Sequence, residues 1–320
     1  MKAIYFEKFG DNTVLKQGDQ PTPTAGKGEL LVRIRHTSVN PVDWKIRNGW
    51  LQGMMPHVFP IIPGWDVAGE IAAVGEGVTG WRDGEAVYAY GRKPTVQGGT
   101  YAEYITLPAG YVSRAPAGLS SAEAAAIPLV GLTAWQALFG FAQLKSGEKL
   151  LILGGAGGTG SMAIQFARAN GAEVTATTSP ANRDYVESLG ANHIVDYRDK
   201  ETARKHLKTI APGGYDVVFD AVGGEEQAFA WEFVREGGRL VSIVDTPNSE
   251  TAKRPDVKSG FIFVEPNGSQ LAEIAALIAQ RKVRAPAVRE ISVTQAPQAL
   301  TESEGRRVRG KVALKIDFTR

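Results

Sequence analysis

The sequence predicts an α/β chain in which a doubly wound parallel sheet is inserted in a β-rich domain. Three observations predict it. The apolar run Leu150-Leu151-Ile152-Leu153 ends in the glycine cluster Gly154-Gly155-Ala156-Gly157-Gly158-Thr159-Gly160. From about residue 119 onward, strand-like and helix-like stretches alternate, the pattern of a parallel sheet with crossover helices. The first third instead shows alternating strands with frequent glycine and proline, as tight corners require.

From the N-terminus, Met1-Lys2-Ala3-Ile4-Tyr5-Phe6-Glu7 reads as an amphiphilic strand rather than a secretion signal. Leu30-Leu31-Val32-Arg33-Ile34-Arg35 alternates like a half-buried strand. Residues 67–74 form another, stopped by Gly75-Glu76-Gly77. The turn signal Asp83-Gly84 precedes a third over residues 85–90. Ser120-Ser121-Ala122-Glu123 is a capping box, with Ser120 able to cap and Glu123 to reach back. Residues 124–143 carry no charge, but Pro128, Gly131, Gly140 and Gln136 argue against a membrane span. Their alanine-rich texture predicts a buried helix pair.

The glycine cluster joins the strand at 150–153 to a helix-like segment with Met162, Ile164, Phe166 and Ala167, and a strand over 173–177 follows. In such a unit, glycines let the backbone pass close to a pyrophosphate, and the helix N-terminus points free N–H groups at it. The spacing is G-x-x-G-x-x-G (Gly154, Gly157, Gly160) rather than G-x-G-x-x-G. Further strands are predicted over 193–196, 216–220 and 239–244. An amphipathic helix over 270–279 puts Leu271, Ile274, Ala275 and Ile278 on one face. The alternating tail 311–316 is predicted to rejoin the first domain's sheet.

Composition narrows the function. At 320 residues the chain has room for two domains. Its hydrophobic content of 43% and charged content of 22% fit a water-soluble globular protein. A net charge of +2 argues against a nucleic-acid partner. Lys253-Arg254 and Arg306-Arg307-Val308-Arg309 read as solvated loop charge. Zero cysteines exclude disulfides and any thiolate zinc site. The expected location is cytoplasmic, away from membranes.

A series of motifs carries a resemblance. In order they are Ser38-Val39-Asn40-Pro41-Val42-Asp43, Ile62-Pro63-Gly64-Trp65-Asp66-Val67-Ala68-Gly69-Glu70 and Gly98-Gly99-Thr100-Tyr101-Ala102-Glu103-Tyr104. Leu132-Thr133-Ala134-Trp135, the glycine loop, Asp220-Ala221-Val222-Gly223-Gly224 and Arg309-Gly310-Lys311-Val312 complete it. Together they resemble the medium-chain dehydrogenase/reductase superfamily, in its zinc-independent quinone oxidoreductase branch, over essentially the whole chain. The resemblance implies a Rossmann nucleotide domain (residues 123–262) inserted in a GroES-like catalytic domain (1–122 and 263–320), and a homodimer. Zinc-containing relatives have Gly-His-Glu where Gly64-Trp65-Asp66 stands, and the histidines here (His36, His57, His193, His206) lack ligand spacing. No metal is expected.

NAD sites place an acid after the second strand, about 20 residues beyond the glycine loop. Here the chain reads Thr177-Thr178-Ser179-Pro180-Ala181-Asn182-Arg183, with no acid before Asp184. Ser179 and Arg183 would attract the 2′-phosphate of NADPH through charge-assisted hydrogen bonds. The branch uses similar residues, plus a tyrosine matching Tyr197. The resemblance further implies that Thr133 and the Asn40 segment face the nicotinamide. Val222 and Gly223, with Gly224, would lie near the ribose and pyrophosphate. Phe263 and Val264 would line the nicotinamide pocket, core packing being the rival reading.

The expected chemistry is hydride transfer from NADPH to a quinone or an unsaturated carbonyl. Charge developing on such an acceptor is delocalised, so a metal-free site suffices. Asn40 is a candidate to orient the carboxamide or bond the acceptor oxygen. Lys45 or Arg47 is a candidate to stabilise the developing enolate. Some quinone reductases carry a tyrosine where Lys45 stands. Asp43 belongs to the same segment, either in the chemistry or holding Lys45 or Arg47 in place. Trp44, Trp50 and Trp65 offer flat apolar surface or core bulk. The alternatives are an alkenal, enone or enoyl reductase and, in another class, an NADPH-binding sensor.

Overall fold

The computed structural model describes residues 1–306 and 308–318. Arg307, in the predicted basic run, lies outside the described residues. Two compact units emerge. One comprises Met1–Leu129, Glu265–Arg281 and Ala285–Arg320, the other Val130–Val264 and Lys282–Arg284.

The first unit begins with the antiparallel pair β1 (Lys2–Tyr5) and β2 (Lys16–Asp19). β3 (Glu29–Ser38) alternates buried and exposed side chains before becoming wholly buried at its end. That end feeds α1 (Pro41–Arg47), with Asn40 at the N-cap. Pro41 suits the first helical position, where its missing N–H costs nothing. There follow β4 (His57–Ile62), β5 (Asp66–Val74), β6 (Ala86–Tyr90), β7 (Val96–Gly98), β8 (Tyr104–Pro108) and β9 (Val112–Arg114). Leu30, Val32, Ile34, Val67, Ile71, Val87, Ile105 and Leu107 form one core between them. The capping box holds as expected. Ser120 accepts from the Glu123 N–H, Glu123 accepts from the Ser120 N–H, and α2 (Ser121–Ala125) follows.

The uncharged stretch departs from a plain helix pair. After α2 comes α3 (Pro128–Trp135), which runs on as a π-helical turn over Gln136–Phe141. Among the described residues, no helix is long and apolar enough to cross a membrane.

The second unit then runs through β10 (Lys149–Leu153), α4 (Gly158–Ala169), β11 (Glu173–Thr178), α5 (Arg183–Ser188), β12 (His193–Asp196) and α6 (Lys200–Ile210). β13 (Tyr215–Asp220), α7 (Gly224–Ala230), β14 (Val234–Ser242) and β15 (Lys258–Phe261) complete it. These strands form one sheet in the order β12-β11-β10-β13-β14-β15, every pair parallel. This is the doubly wound arrangement, with its switch of direction between β10 and β13. β14 starts five residues earlier than the predicted Arg239 and stops at Ser242. Gly237 and Gly238 mask its first half, and the pairing with β13 skips between Val234 and Arg239.

The chain then returns to the first unit through α8 (Gly268–Ala279), β16 (Val288–Ser292), α9 (Ala296–Glu304) and β17 (Lys311–Lys315). β17 rejoins the first sheet between β16 and β3, as its alternation predicts. α9 and α1 share a second core with Val39, Trp44, Tyr101, Val293, Leu300, Val312 and Leu314.

Candidate active site

In the second unit the fully apolar end of β10 stops at Gly154, whose φ of +81° lies in the left-handed region that glycine tolerates. The turn is tied to β11, with Gly155 N–H donating to Thr177 O at 2.9 Å and Gly154 N–H to Thr177 Oγ1 at 3.2 Å. Gly160 is required by the protein itself, because a Cβ there would stand 2.2 Å from Gly154 O. Gly157 is different. Its Cβ would meet only Gly154 O, at an ordinary 3.6 Å, so protein packing does not demand a glycine there. Gly157 leaves the mouth of the turn bare, where α4 begins at Gly158, Thr159 and Gly160 with its N–H groups. An open glycine before the N-terminus of a twelve-residue helix fits a diphosphate.

Ser179 follows β11 directly, half-buried. Arg183 opens α5, exposed, and Tyr197 follows β12, 39% exposed. Because β11 and β12 are parallel neighbours, with Thr178 opposite Asp196, Ser179 and Tyr197 emerge at the same sheet end as Gly154. Beyond β13, Asp220 is fully buried. One oxygen accepts from the N–H groups of Val222 and Gly223, both at 2.9 Å. The other accepts from Gln227 at 3.0 Å and Ser242 Oγ at 2.7 Å. Gly223, at φ +79°, has no room for a side chain beside Asp245, which accepts from the Gly224 N–H at 2.8 Å. The sequence showed the Asp220–Gly224 motif but not that Asp220 shapes its turn. Thr133 and Val264 are buried and Phe263 half-buried.

In the first unit, the α1 residues join a buried polar cluster that local sequence does not reveal. Asp66, fully buried, accepts from Leu129 N–H on one oxygen at 2.7 Å. On the other it accepts from Ser38 Oγ at 2.6 Å and Asn40 Nδ2 at 2.7 Å, and Lys311 Nζ lies 3.3 Å away. Lys311 also donates to Val39 O at 2.8 Å and to Asn40 Oδ1. Asp43 Oδ2 accepts from Asn40 N–H at 2.8 Å and Tyr101 OH at 3.0 Å, while Oδ1 is buried without a partner among the described residues. Burial pushes the Asp43 carboxyl up to about 7, against the Asn40 N–H, Lys311 and Tyr101. Burial likewise lowers Lys311, opposed by Asp66 and Asp43.

Three of the expected catalytic residues therefore take framework positions. Asn40 is fully buried with both ends of its amide engaged in the cluster. Asp43 holds Tyr101 and the start of α1, not Lys45 or Arg47. Arg47 is 2% exposed and is spent on Gly10 O, Asn12, Asn48 and Glu304. Lys45 alone is half-buried, its Nζ 5.8 Å from the Trp44 ring centroid. Trp44 and Trp65 are core residues, whereas Trp50 is 63% exposed and edge-on to Trp44 at 5.0 Å.

Comparison with known proteins bears on this arrangement. The family described as "Alcohol dehydrogenase GroES-like domain" matches residues 26–117, and "Zinc-binding dehydrogenase" matches residues 189–314. The "Chloroplast envelope quinone oxidoreductase homolog" of Arabidopsis thaliana is 36% identical, over 78% of this chain and 76% of its own. The chain belongs to the medium-chain dehydrogenase/reductase superfamily, in its quinone oxidoreductase branch. The "2-methylene-furan-3-one reductase" of Solanum lycopersicum is 34% identical, over 84% of this chain and 72% of its own. The solved quinone oxidoreductase from Coxiella burnetii superposes with a TM-score of 0.86 at 30% identity, covering 99% of both chains. A member of this superfamily is an oxidoreductase that uses a pyridine nucleotide, and the glycine turn fits one.

Zinc, which one family description names, does not fit this chain. Trp65, at the place where zinc-containing members of the superfamily are expected to carry a ligand histidine, is packed against Tyr90 with ring centroids 5.9 Å apart. Asp66 beside it is already saturated with donors. Among the described residues, no three His, Cys, Asp or Glu side chains gather to hold a metal ion.

Proposed function

We propose that this chain is an NADPH-dependent, metal-free quinone reductase. The observation that carries the reading is the end of β11. Ser179 and Arg183 stand there, with no acid between them to repel a 2′-phosphate, at the same sheet end as the open Gly157. The quinone reductases among its relatives support the acceptor class. NADPH, when bound, supplies the hydride.

The chain's own residues bind and orient. Gly154, Gly157, Gly158, Thr159 and Gly160 receive the diphosphate. Ser179, Arg183 and Tyr197 hold the adenosine end. Val222 and Gly223, fixed by Asp220, border the ribose, and Thr133, Phe263 and Val264 border the nicotinamide. Within the first unit, Lys45 on α1 is the candidate donor to a carbonyl acceptor, with Asn40 and Asp43 fixing the start of that helix.

The test is NADPH oxidation with benzoquinone, phenanthrenequinone and a short alkenal in parallel, with NADH as control. Fast turnover with the quinones supports the reading. Preference for the alkenal would move the protein to the double-bond reductases, the second reading that the tomato relative favours. Tight NADPH binding without turnover would point to a sensor. For the phosphate site, Arg183→Ala is expected to raise the KM for NADPH about ten- to hundredfold, the loss of one charge-assisted hydrogen bond. NADH kinetics should stay nearly constant, and equal loss with both cofactors would remove Arg183 from the site.

A further inference from the structure

A second set of reactive side chains lies in the first unit, apart from the Asp66 cluster. His36 on β3, Ser121 on α2 and Glu290 on β16 come together from distant parts of the chain. Ser121 Oγ is 2.6 Å from His36 Nδ1, and Glu290 Oε2 is 3.2 Å from His36 Nε2. The adjacent Ser120 does the capping, so the hydroxyl of Ser121 has no part in starting the helix. A carboxylate beside Nε2 favours the ring proton on that nitrogen, which leaves Nδ1 to accept from the serine. Burial lowers His36, with Lys315 acting in the same sense and Glu290 and Asp317 against it. The ring is therefore a neutral base at pH 7. Ser121 is only half-buried.

A hydroxyl within hydrogen-bond reach of a base, itself beside a third group, is the arrangement that activates a nucleophile. We propose that Ser121 is a nucleophilic serine that accepts an acyl group from an activated ester, with His36 as its general base. The Ser121 O–H bond breaks and its proton passes to Nδ1. The freed oxygen pair bonds to the carbonyl carbon, and the ester C–O bond breaks with the pair leaving on the phenolate. That phenolate or water then takes the proton from Nδ1. The product is an O-acyl serine. Hydrolysis follows the same steps with water as the nucleophile: His36 takes a water proton, the acyl–Oγ bond breaks, the acid leaves and the proton returns to Ser121 Oγ. No electrons are exchanged, so the step is independent of NADPH.

The full chain would be treated with p-nitrophenyl acetate in the absence of dinucleotide. Phenolate release is followed, and the acetyl group is located by peptide mass spectrometry. Acetyl on Ser121, with a burst no larger than the chain concentration, is expected. Ser121→Ala should abolish the burst and leave NADPH oxidation unchanged. His36→Gln should slow acylation about a hundredfold, the usual contribution of a general base. Because His36 is buried, Glu290→Gln, at a more exposed position, offers a second reading, and about tenfold slower acylation is expected. The idea is overturned if acetyl spreads over lysines at the same rate in the wild type and Ser121→Ala. It is overturned equally if His36→Gln and Glu290→Gln, both folded, acylate Ser121 as fast as the parent.

Discussion

Lys311 brings one positive charge to two buried carboxyl groups, Asp43 and Asp66. Asp66 is held on both oxygens, by Leu129 N–H on one and by Ser38, Asn40 and Lys311 on the other. Asp43 has one oxygen without a partner among the described residues, and burial raises its carboxyl, so it holds a proton up to near neutrality. Its carboxyl sits near 7 when folded and returns to about 4 when unfolded. Between those values the folded chain keeps a proton that the unfolded chain loses. Stability should therefore fall as pH rises from about 4 to about 7, by at most ~1.4 kcal/mol per unit, and level off above. The difference in unfolding free energy between wild type and Asp43→Asn checks this; a difference flat across the window would show that Asp43 carries no proton there. Lys311→Met should cost about 3–5 kcal/mol, because it strands a buried carboxylate. Adding Asp66→Asn should recover part of that loss in urea unfolding, and a purely additive double variant would contradict the pairing.

Among the elements, the glycine turn is the one whose every feature is local. Strand, turn and helix lie within about twenty consecutive residues, so composition and spacing reveal them together. Gly160→Ala should drive the first turn of α4 off Gly154 and weaken dinucleotide binding more than tenfold by calorimetry. Gly213→Ala, facing open space, should leave it unchanged. Matching losses would mean that the close approach is not what matters. The buried strands β10 and β13 were legible for the same reason, as short apolar runs. The π-helical turn and the early start of β14 were not, because they depend on packing and on a bulge. The α1 cluster was illegible in another way. Nothing near Asn40 and Asp43 in sequence shows Lys311 or Tyr101, their partners 271 and 58 positions away. Arg47, tied to Glu304, was concealed likewise.

For the whole molecule, the fold class and the return of the tail to the first sheet were readable, since each rests on the order of patterned segments. The first unit is the more dependent of the two on distant sequence. A variant ending at Gly310 removes the strand beside β3 and the ammonium beside Asp66 in one cut. It should leave the first unit protease-sensitive while residues 130–264 remain protected, and equal protection of both would contradict this dependence.

The place of β17 also sets a timetable during synthesis. Residues 1–129 leave the ribosome first but lack both the final strand and the cation for Asp66 until residue 311 emerges. At ordinary elongation rates that interval is roughly 10–40 seconds. The continuous stretch 130–264 is complete well before it ends, so the half of the protein translated second is the half that finishes first.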